Sequence, residues 1–108
     1  MKHFPSGQLY YNSSGTWNVT KLFKASKKLF CQYIEIDSLL KDKEVKEDVE
    51  MLKVFYLKHV LSVDLRYPII VNAENLVMDG YHRLAKATIL RKRVIRARKF
   101  KVTPPPDI

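Results

Sequence analysis

The chain has 108 residues, 46% of them hydrophobic, which predicts a single domain with a small core. Its one cysteine excludes an internal disulfide and a zinc site built on cysteines, and no apolar run reaches the roughly 20 residues of a transmembrane helix. The net charge of +9, from 20 basic and 11 acidic residues, favours a polyanionic partner such as a nucleotide or a nucleic acid.

The N-terminal third predicts an arm, a helix and a strand. Residues 1–16 are rich in Gly, Ser, Asn and Tyr and predict a loosely draped arm. Helical spacing of apolar residues predicts a helix over residues 20–29, with lysines on its polar side. The aromatic and β-branched run at residues 30–36 predicts a strand, in which we expect Cys31 to be a buried, inert thiol.

The rest of the chain predicts alternating helices and strands followed by a tail. In order, we expect a helix over residues 44–61, a strand at 69–71, a turn at 72–75, a return strand at 76–78, a helix over 81–92, a strand at 94–100 and a proline-rich tail at 102–108. The order predicts an α+β domain over residues 17–101, with about three helices and a small mixed sheet. The start of the chain has no hydrophobic stretch typical of a signal peptide, so we expect a cytoplasmic protein with no membrane partner.

The most informative motif is the turn between the return strand and the following helix. Asp79 and Gly80 form an Asp-Gly turn, and His82 and Arg83 lie in the first helical turn, where N–H groups lack intrahelical partners. We predict a phosphate site here, because the turn combines free N–H donors, the helix dipole, an imidazole and a guanidinium. We expect Gly80 to let the phosphate come close to the backbone. The alternative is ordinary turn chemistry with a solvated His-Arg pair.

A second feature is the run of basic residues near the C-terminus. Residues 86–101 carry eight Lys and Arg residues and no acid. Arg96 and Arg98 alternate along a predicted strand and therefore share one face. The candidate nucleic-acid contacts are Arg91, Lys92, Arg93, Arg96 and Arg98. The sequence shows no motif for stacking single-stranded bases, so such binding is expected to be electrostatic and independent of sequence. The alternative is a solubilising face.

These motifs occur in an order that resembles a known group. Tyr67-Pro68-Ile69-Ile70-Val71, a turn, Val77-Met78-Asp79-Gly80-x-His82-Arg83-x-Ala85-Lys86-Ala87 and Val94-Ile95-Arg96-Ala97-Arg98-Lys99-Phe100 resemble the ParB-like N-terminal domain of the ParB/sulfiredoxin superfamily. The chain is most similar to its small stand-alone bacterial members, and Trp17-x-Val19-x-x-Leu22 resembles their opening. The resemblance covers residues 17–100.

The resemblance implies a ParB/sulfiredoxin-like fold and a nucleotide-phosphate site formed by Gly80, Tyr81, His82 and Arg83. Members reduce cysteine sulfinic acid with ATP, bind and hydrolyse CTP on DNA, or phosphorylate serine with ADP. Tyr81 stands where sulfiredoxins carry the reactive cysteine, so sulfinic-acid reduction is not expected. No residues beyond Phe100 resemble the DNA-binding and dimerisation domains of a full-length ParB.

Three functions remain open. The leading one is binding of a nucleotide, such as ATP, ADP or CTP with Mg²⁺, or of another phosphate ligand at the turn. The second is phosphoryl transfer or nucleotide hydrolysis there, with His82, Asp79 and Glu44 as candidate catalytic residues and Asp79 as a helix cap or candidate Mg²⁺ ligand. The third is an accessory protein that binds nucleic acid through the basic run.

Overall fold

The computed structural model describes residues 9–108 and confirms the α+β class with a small mixed sheet. The elements are β1 (Leu9–Asn12), β2 (Gly15–Asn18), α1 (Val19–Ser26), β3 (Gln32–Glu35), α2 (Ile36–Leu39), α3 (Lys43–Phe55), α4 (Leu57–Ser62), β4 (Ile69–Val71), β5 (Val77–Asp79), α5 (Tyr81–Ile89) and β6 (Val94–Lys99). The described residues thus contain five helices rather than about three. Among them, none is both long and apolar enough to cross a bilayer.

The central sheet has four strands in the order β3-β6-β4-β5. β6 runs antiparallel to β3 and parallel to β4, and β4 and β5 form an antiparallel hairpin. Its connection matches the turn predicted at 72–75. The Asn72 side-chain oxygen accepts hydrogen bonds from the N–H groups of Glu74 at 3.0 Å and Leu76 at 2.8 Å, and Asn75 adopts a φ of 68°. This turn aligns β5, and through it the start of α5.

One face of the sheet, which we call the helix face, is covered by α2, α3, α4 and α5. Its core includes Leu39, Leu52, Val60, Ile69 and Leu84, each with no measurable exposure. The buried residues of α3 and α5 recur at three- and four-residue steps, as a helix with one apolar stripe requires. Packing of α3 on α5 fixes the axis of α5, and therefore the position of its first turn.

Two of the elements predicted between residues 30 and 61 differ from the structure. The helix predicted over 44–61 is two helices, because Tyr56 leaves helical geometry with φ −132° and ψ 30° and starts α4 in a new direction. The strand predicted at 30–36 is shorter, and its last residue, Ile36, begins the short helix α2. The apolar pattern predicted buried positions in both places, but not the local change of backbone.

The other face, which we call the hairpin face, carries a second, smaller core. Tyr10 and Trp17 of the β1–β2 hairpin and Leu22 of α1 pack on Ile70 and Met78 of the sheet. The prediction of a loosely draped arm is therefore wrong for residues 9–16, and residues 1–8 lie outside the described part. Tyr10 and Trp17 are cross-strand partners in the hairpin, and both side chains are buried. The polar composition of this segment gives no sign of that burial.

The proline-rich tail packs on this hairpin. The Trp17 Nε1 donates to the Pro104 carbonyl oxygen at 2.8 Å, and the N–H of Thr16 donates to the Ile108 carbonyl oxygen at 3.1 Å. The Asp107 carboxylate accepts a hydrogen bond from the N–H of Asn18 at 2.7 Å. The prolines predict only that residues 102–108 lie outside a sheet interior, and the tail hydrogen-bonds along the free edge of β2.

Cys31 is exposed, so the prediction of a buried thiol is wrong. It lies in the loop just before β3, which is an edge strand of the sheet. Its neighbour Phe30 is 93% exposed and Tyr33 is 68% exposed. Only Ile34 of this strand packs against the main core. The apolar run at residues 30–36 predicts burial of Cys31, but the hairpin and α1 cover only β4 and β5. The strand β3 is left uncovered on that side of the sheet.

Candidate functional site

The turn between β5 and α5 begins a nine-residue helix that no side chain caps. Gly80 is its N-cap residue, with φ 101° and ψ 27°, a left-handed conformation that glycine adopts without strain. The Leu84 N–H donates to the Gly80 carbonyl oxygen at 2.9 Å and closes the first turn. Within an α-helix the N–H groups of the first turn have no intrahelical acceptor, and those of His82 and Arg83 are positioned to bind an anion.

Gly80 has a structural role at this turn. A Cβ at this position would lie 2.5 Å from Ile69 Cγ2 and 3.0 Å from Arg83 Nη2. The space made by the missing side chain is thus filled by the protein's own atoms. We expected that space to admit a ligand, whereas the glycine lets α5 start against β4 and lets the Arg83 guanidinium lie over the turn.

Arg83 is held in place by two groups. Its Nη2 lies 3.5 Å from Asp79 Oδ2 and donates to the Pro68 carbonyl oxygen at 3.3 Å, and its Nε is buried with no hydrogen-bond partner. The two charged side chains are about one-fifth exposed, at 23% for Arg83 and 22% for Asp79. Asp79 therefore partners the guanidinium, and its expected roles as a helix cap or a Mg²⁺ ligand stay predictions.

Tyr81 contributes only its backbone to the turn. Its side chain is 4% exposed, and its hydroxyl donates to the Val77 carbonyl oxygen at 2.9 Å. Burial, with smaller contributions from Tyr10 and from Asp48, raises the pKa of the Tyr81 hydroxyl. The side chain is therefore a neutral core group that ties the first turn of α5 to β5, and it does not face a ligand.

His82 faces His59 of α4, a residue that the sequence did not single out. The two imidazole rings stack with their centroids 4.6 Å apart and their planes 29° apart. Partial burial, followed by the positive charges of His59 and Arg83, lowers the pKa of His82, and Asp79 opposes this only weakly. The His82 imidazole is therefore neutral at neutral pH. An anion beside it would favour the protonated form.

His59 also connects the turn to a groove. This groove, of about 500 Å³, lies where α3 breaks into α4 and is lined by Phe55, Tyr56, Leu57, Lys58, His59 and Ser62. Its aromatic and aliphatic walls end at the imidazole that stacks on His82. We call it the elbow groove. No sequence signal pairs His59 with His82, because the contact depends on the break at Tyr56 that redirects α4.

Glu44, the remaining candidate for catalysis, does not lie at the turn. Glu44 is exposed in the first turn of α3, on the outer side of a helix whose buried stripe packs on α5. Within residues 9–108, no three His, Cys, Asp or Glu side chains are grouped as metal ligands would be. Asp79 is thus the one carboxylate that the structure places in an ion pair at the turn itself.

The basic residues near the C-terminus lie on two surfaces. Arg91, Lys92 and Arg93 are exposed after α5, where Arg91 adopts a φ of 56°. Arg96 and Arg98 alternate with buried Ile95 and Ala97 along β6 and therefore share the outward side of that strand. Arg96 donates from Nη1 to the Arg66 carbonyl oxygen at 2.9 Å.

Comparison of the chain with protein-family models, with curated proteins and with solved structures gave no match. The site therefore has to be interpreted from its own geometry.

Proposed function

We propose that the protein binds the phosphate of a nucleotide at the start of α5, on the side of the turn that His82 and His59 share. The observation that carries the proposal is the stacked histidine pair beside an uncapped helix start. The N–H groups of the first turn supply donors of fixed direction, and the paired imidazoles supply donors whose charge an anion can raise. Arg83 adds positive charge at short range, although Asp79 offsets part of it.

The elbow groove favours a nucleotide over free phosphate. Its walls are apolar and aromatic, and it ends at His59, so a base or sugar in the groove would lie next to a phosphate at His82. Mixed apolar walls with a few polar groups at one end are typical of small-molecule sites. The proposal therefore predicts that a nucleoside phosphate binds more tightly than inorganic phosphate.

Calorimetric titration with ATP, ADP, CTP and GTP, with and without Mg²⁺, tests the proposal. His82→Ala and His59→Ala should each weaken binding, and Arg83→Ala should weaken it by about 1.5–3 kcal/mol, as expected for a charged hydrogen bond. Lys21→Ala is the control, because Lys21 also pairs with an aspartate, Asp107, but lies in α1 on the hairpin face. Unchanged affinity in both histidine variants would refute the proposal.

Asp79→Asn separates the two roles proposed for the carboxylate. If Asp79 only offsets the charge of Arg83, its removal should tighten anion binding with and without Mg²⁺. If Asp79 holds Mg²⁺, the variant should lose the part of the affinity that depends on the metal.

The neutral imidazole of His82 favours a second candidate function, phosphoryl transfer at the same turn. A neutral imidazole can accept the proton of an attacking water or hydroxyl as the bond to the terminal phosphorus forms and the nucleoside diphosphate leaves. Release of inorganic phosphate from ATP or CTP, lost in His82→Gln even when the nucleotide concentration saturates that variant, is the expected result. Binding without release in the wild type would leave binding as the function.

A further inference from the structure

We infer that single-stranded nucleic acid binds at the open end of β3, by stacking its bases on Phe30 and Tyr33. The surface has two parts. One is a groove of about 540 Å³ with Lys28, Phe30, Gln32, Lys99, Phe100 and Lys101 among its lining residues, which we call the basic groove. The other is the outward side of β3 and β6, which the hairpin does not cover. The inference is independent of the phosphate proposed at α5.

The aromatic side chains of this surface contribute little to the core. Phe30 is 93% exposed and Tyr33 is 68% exposed, although an exposed phenyl ring is unfavourable in water. Phe100, in contrast, is 6% exposed and forms a fixed wall of the basic groove. Exposed aromatic rings beside a rigid wall offer the flat apolar surfaces on which bases stack.

The charge of the surface complements a phosphate backbone. Three lysines line the basic groove, and no carboxylate is among its described lining residues. Tyr33 lies directly opposite Arg96 in the antiparallel β3–β6 pair, so the two side chains project from the same sheet face, where the Arg96 guanidinium donates to the Arg66 carbonyl oxygen. Arg98 follows two residues later on the same face. Aromatic and basic side chains that are scattered in the sequence are therefore interleaved in space.

The shape of the surface favours a single strand over a membrane or a duplex. Phe30, at 93% exposure, projects beside the basic groove, and a flexible strand can follow such a groove, whereas the surface of a bilayer cannot enter it. In a duplex the bases are already stacked and paired, so the aromatic rings would gain nothing from them. Phe30 and Tyr33 are about 10 Å apart along an extended chain, a distance that separate bases of one strand can reach.

Fluorescence anisotropy with a labelled oligodeoxythymidine of about 20 nucleotides, and with a hairpin duplex of equal charge, tests the inference. Phe30→Ala should weaken binding to the single strand by about tenfold to a hundredfold, and Tyr33→Ala should weaken it to a similar degree. Duplex binding should change little. Phe23→Ala is the matched control, because Phe23 is also an exposed phenylalanine but lines neither the basic groove nor the elbow groove. A single-strand affinity that Phe30→Ala and Tyr33→Ala leave unchanged would overturn the inference.

The contribution of the lysines to binding is tested by charge reversal, with a separate control. Lys28→Glu with Lys101→Glu should reduce the single-strand affinity and flatten its dependence on salt between about 50 and 200 mM, because fewer counterions are released. Lys41→Glu with Lys46→Glu makes the same charge change at exposed positions on another side and should have the smaller effect. A different result would assign the surface to a membrane and overturn the inference. In that case the protein would not bind the oligonucleotide, and it would sediment with phosphatidylserine vesicles in a way that depends on Phe30.

Discussion

The two faces of the four-stranded sheet are covered to different extents. The helix face buries fifteen residues in one cluster beneath four helices, and the hairpin face buries seven beneath the β1–β2 hairpin and α1. The smaller cover does not reach the outward side of β3, so Tyr33 stays exposed, while Arg96 and Arg98 of β6 are half-buried. The difference indicates that the helix face supplies most of the stability, and that the incomplete hairpin face leaves room for a ligand.

The same difference applies to the two candidate surfaces. The turn at α5 is built on the helix face, where Arg83, Asp79 and Tyr81 are all held by neighbours. Phe30 and Tyr33 lie on the open face and are mostly solvated. A preorganised turn suits a small ligand of fixed geometry, whereas an open aromatic and basic surface suits a flexible polymer. Paired substitutions on the two faces test this comparison.

The largest effect is expected from a core truncation on the helix face. Leu84→Ala removes a side chain with no exposure from the middle of α5 and should lower the free energy of unfolding by about 3–5 kcal/mol. Leu22→Ala on the hairpin face should cost less, about 2–3 kcal/mol, because the smaller cluster lies near the surface and can relax. Urea denaturation measures both. An equal or greater loss for Leu22→Ala would break the comparison.

The second pair replaces glycines that face neighbouring atoms. Gly80→Ala forces a left-handed φ of 101° on alanine and places a Cβ against Ile69 and Arg83. It should cost about 1–3 kcal/mol of stability and also weaken nucleotide binding, because the guanidinium has to move. Gly15→Ala places a Cβ 2.5 Å from Pro106 Cβ and forces a φ of 151° on alanine, so it should strain the hairpin and displace the tail but leave nucleotide binding unchanged. Thermal unfolding and nucleotide titration of both variants check this, and nucleotide affinity retained in Gly80→Ala would contradict it.

The third pair removes one polar contact from each face. Tyr81→Phe deletes the hydrogen bond to the Val77 carbonyl oxygen and should cost about 1 kcal/mol. Trp17→Phe deletes the bond to the Pro104 carbonyl oxygen, at a similar cost, and should release the tail. Amide hydrogen exchange distinguishes the two variants. Trp17→Phe should speed exchange only in the hairpin and tail, and faster exchange throughout α3 and α5 would show that the faces are not separate.

The sequence predicted most of the helix face and, on the hairpin face, α1 but not the β1–β2 hairpin. Periodic apolar residues located α1, α3, α5 and β6 and the turn at Asn72, because burial on one side of a regular element repeats at a fixed period. Tyr10 and Trp17 were missed because their burial depends on a hairpin too short to show a period. Cys31 was misplaced because an apolar edge strand looks the same in sequence as a covered one.

At the site, the sequence located the turn but not its partners. Asp79, Gly80, His82 and Arg83 are neighbours in the chain, so local pattern sufficed to bring them together. His59 comes from another helix, and its contact with His82 depends on the break at Tyr56. The aromatic surface at β3 was missed for the same reason, since Tyr33 meets Arg96 only through strand pairing.

The smallest expected effect is a dependence of the free energy of unfolding on pH, which arises from the stacked pair of His59 and His82. The fold lowers the pKa of His82 below its ordinary value of 6.5, chiefly by burial and then by His59. Between the folded and unfolded pKa values, the unfolded chain binds a proton that the folded chain does not. Stability should therefore fall as the pH drops through that window, and it should recover as the pH rises above 6.5.

His82→Gln should remove this part of the pH dependence, and His59→Gln should reduce it, because His82 then lacks a positive neighbour. Sulfate tests whether an anion binds beside His82, since the charge of sulfate stays constant over this pH range. If an anion binds beside His82, it raises the pKa of the imidazole, so sulfate should stabilise the wild type more at pH values below 6.5 than above. The measurement is the thermal midpoint against pH, with and without sulfate, for the wild type and both variants. A stabilisation by sulfate that is equal at every pH, or unchanged in His82→Gln, would separate the histidine pair from anion binding and leave the turn a structural feature of the helix face.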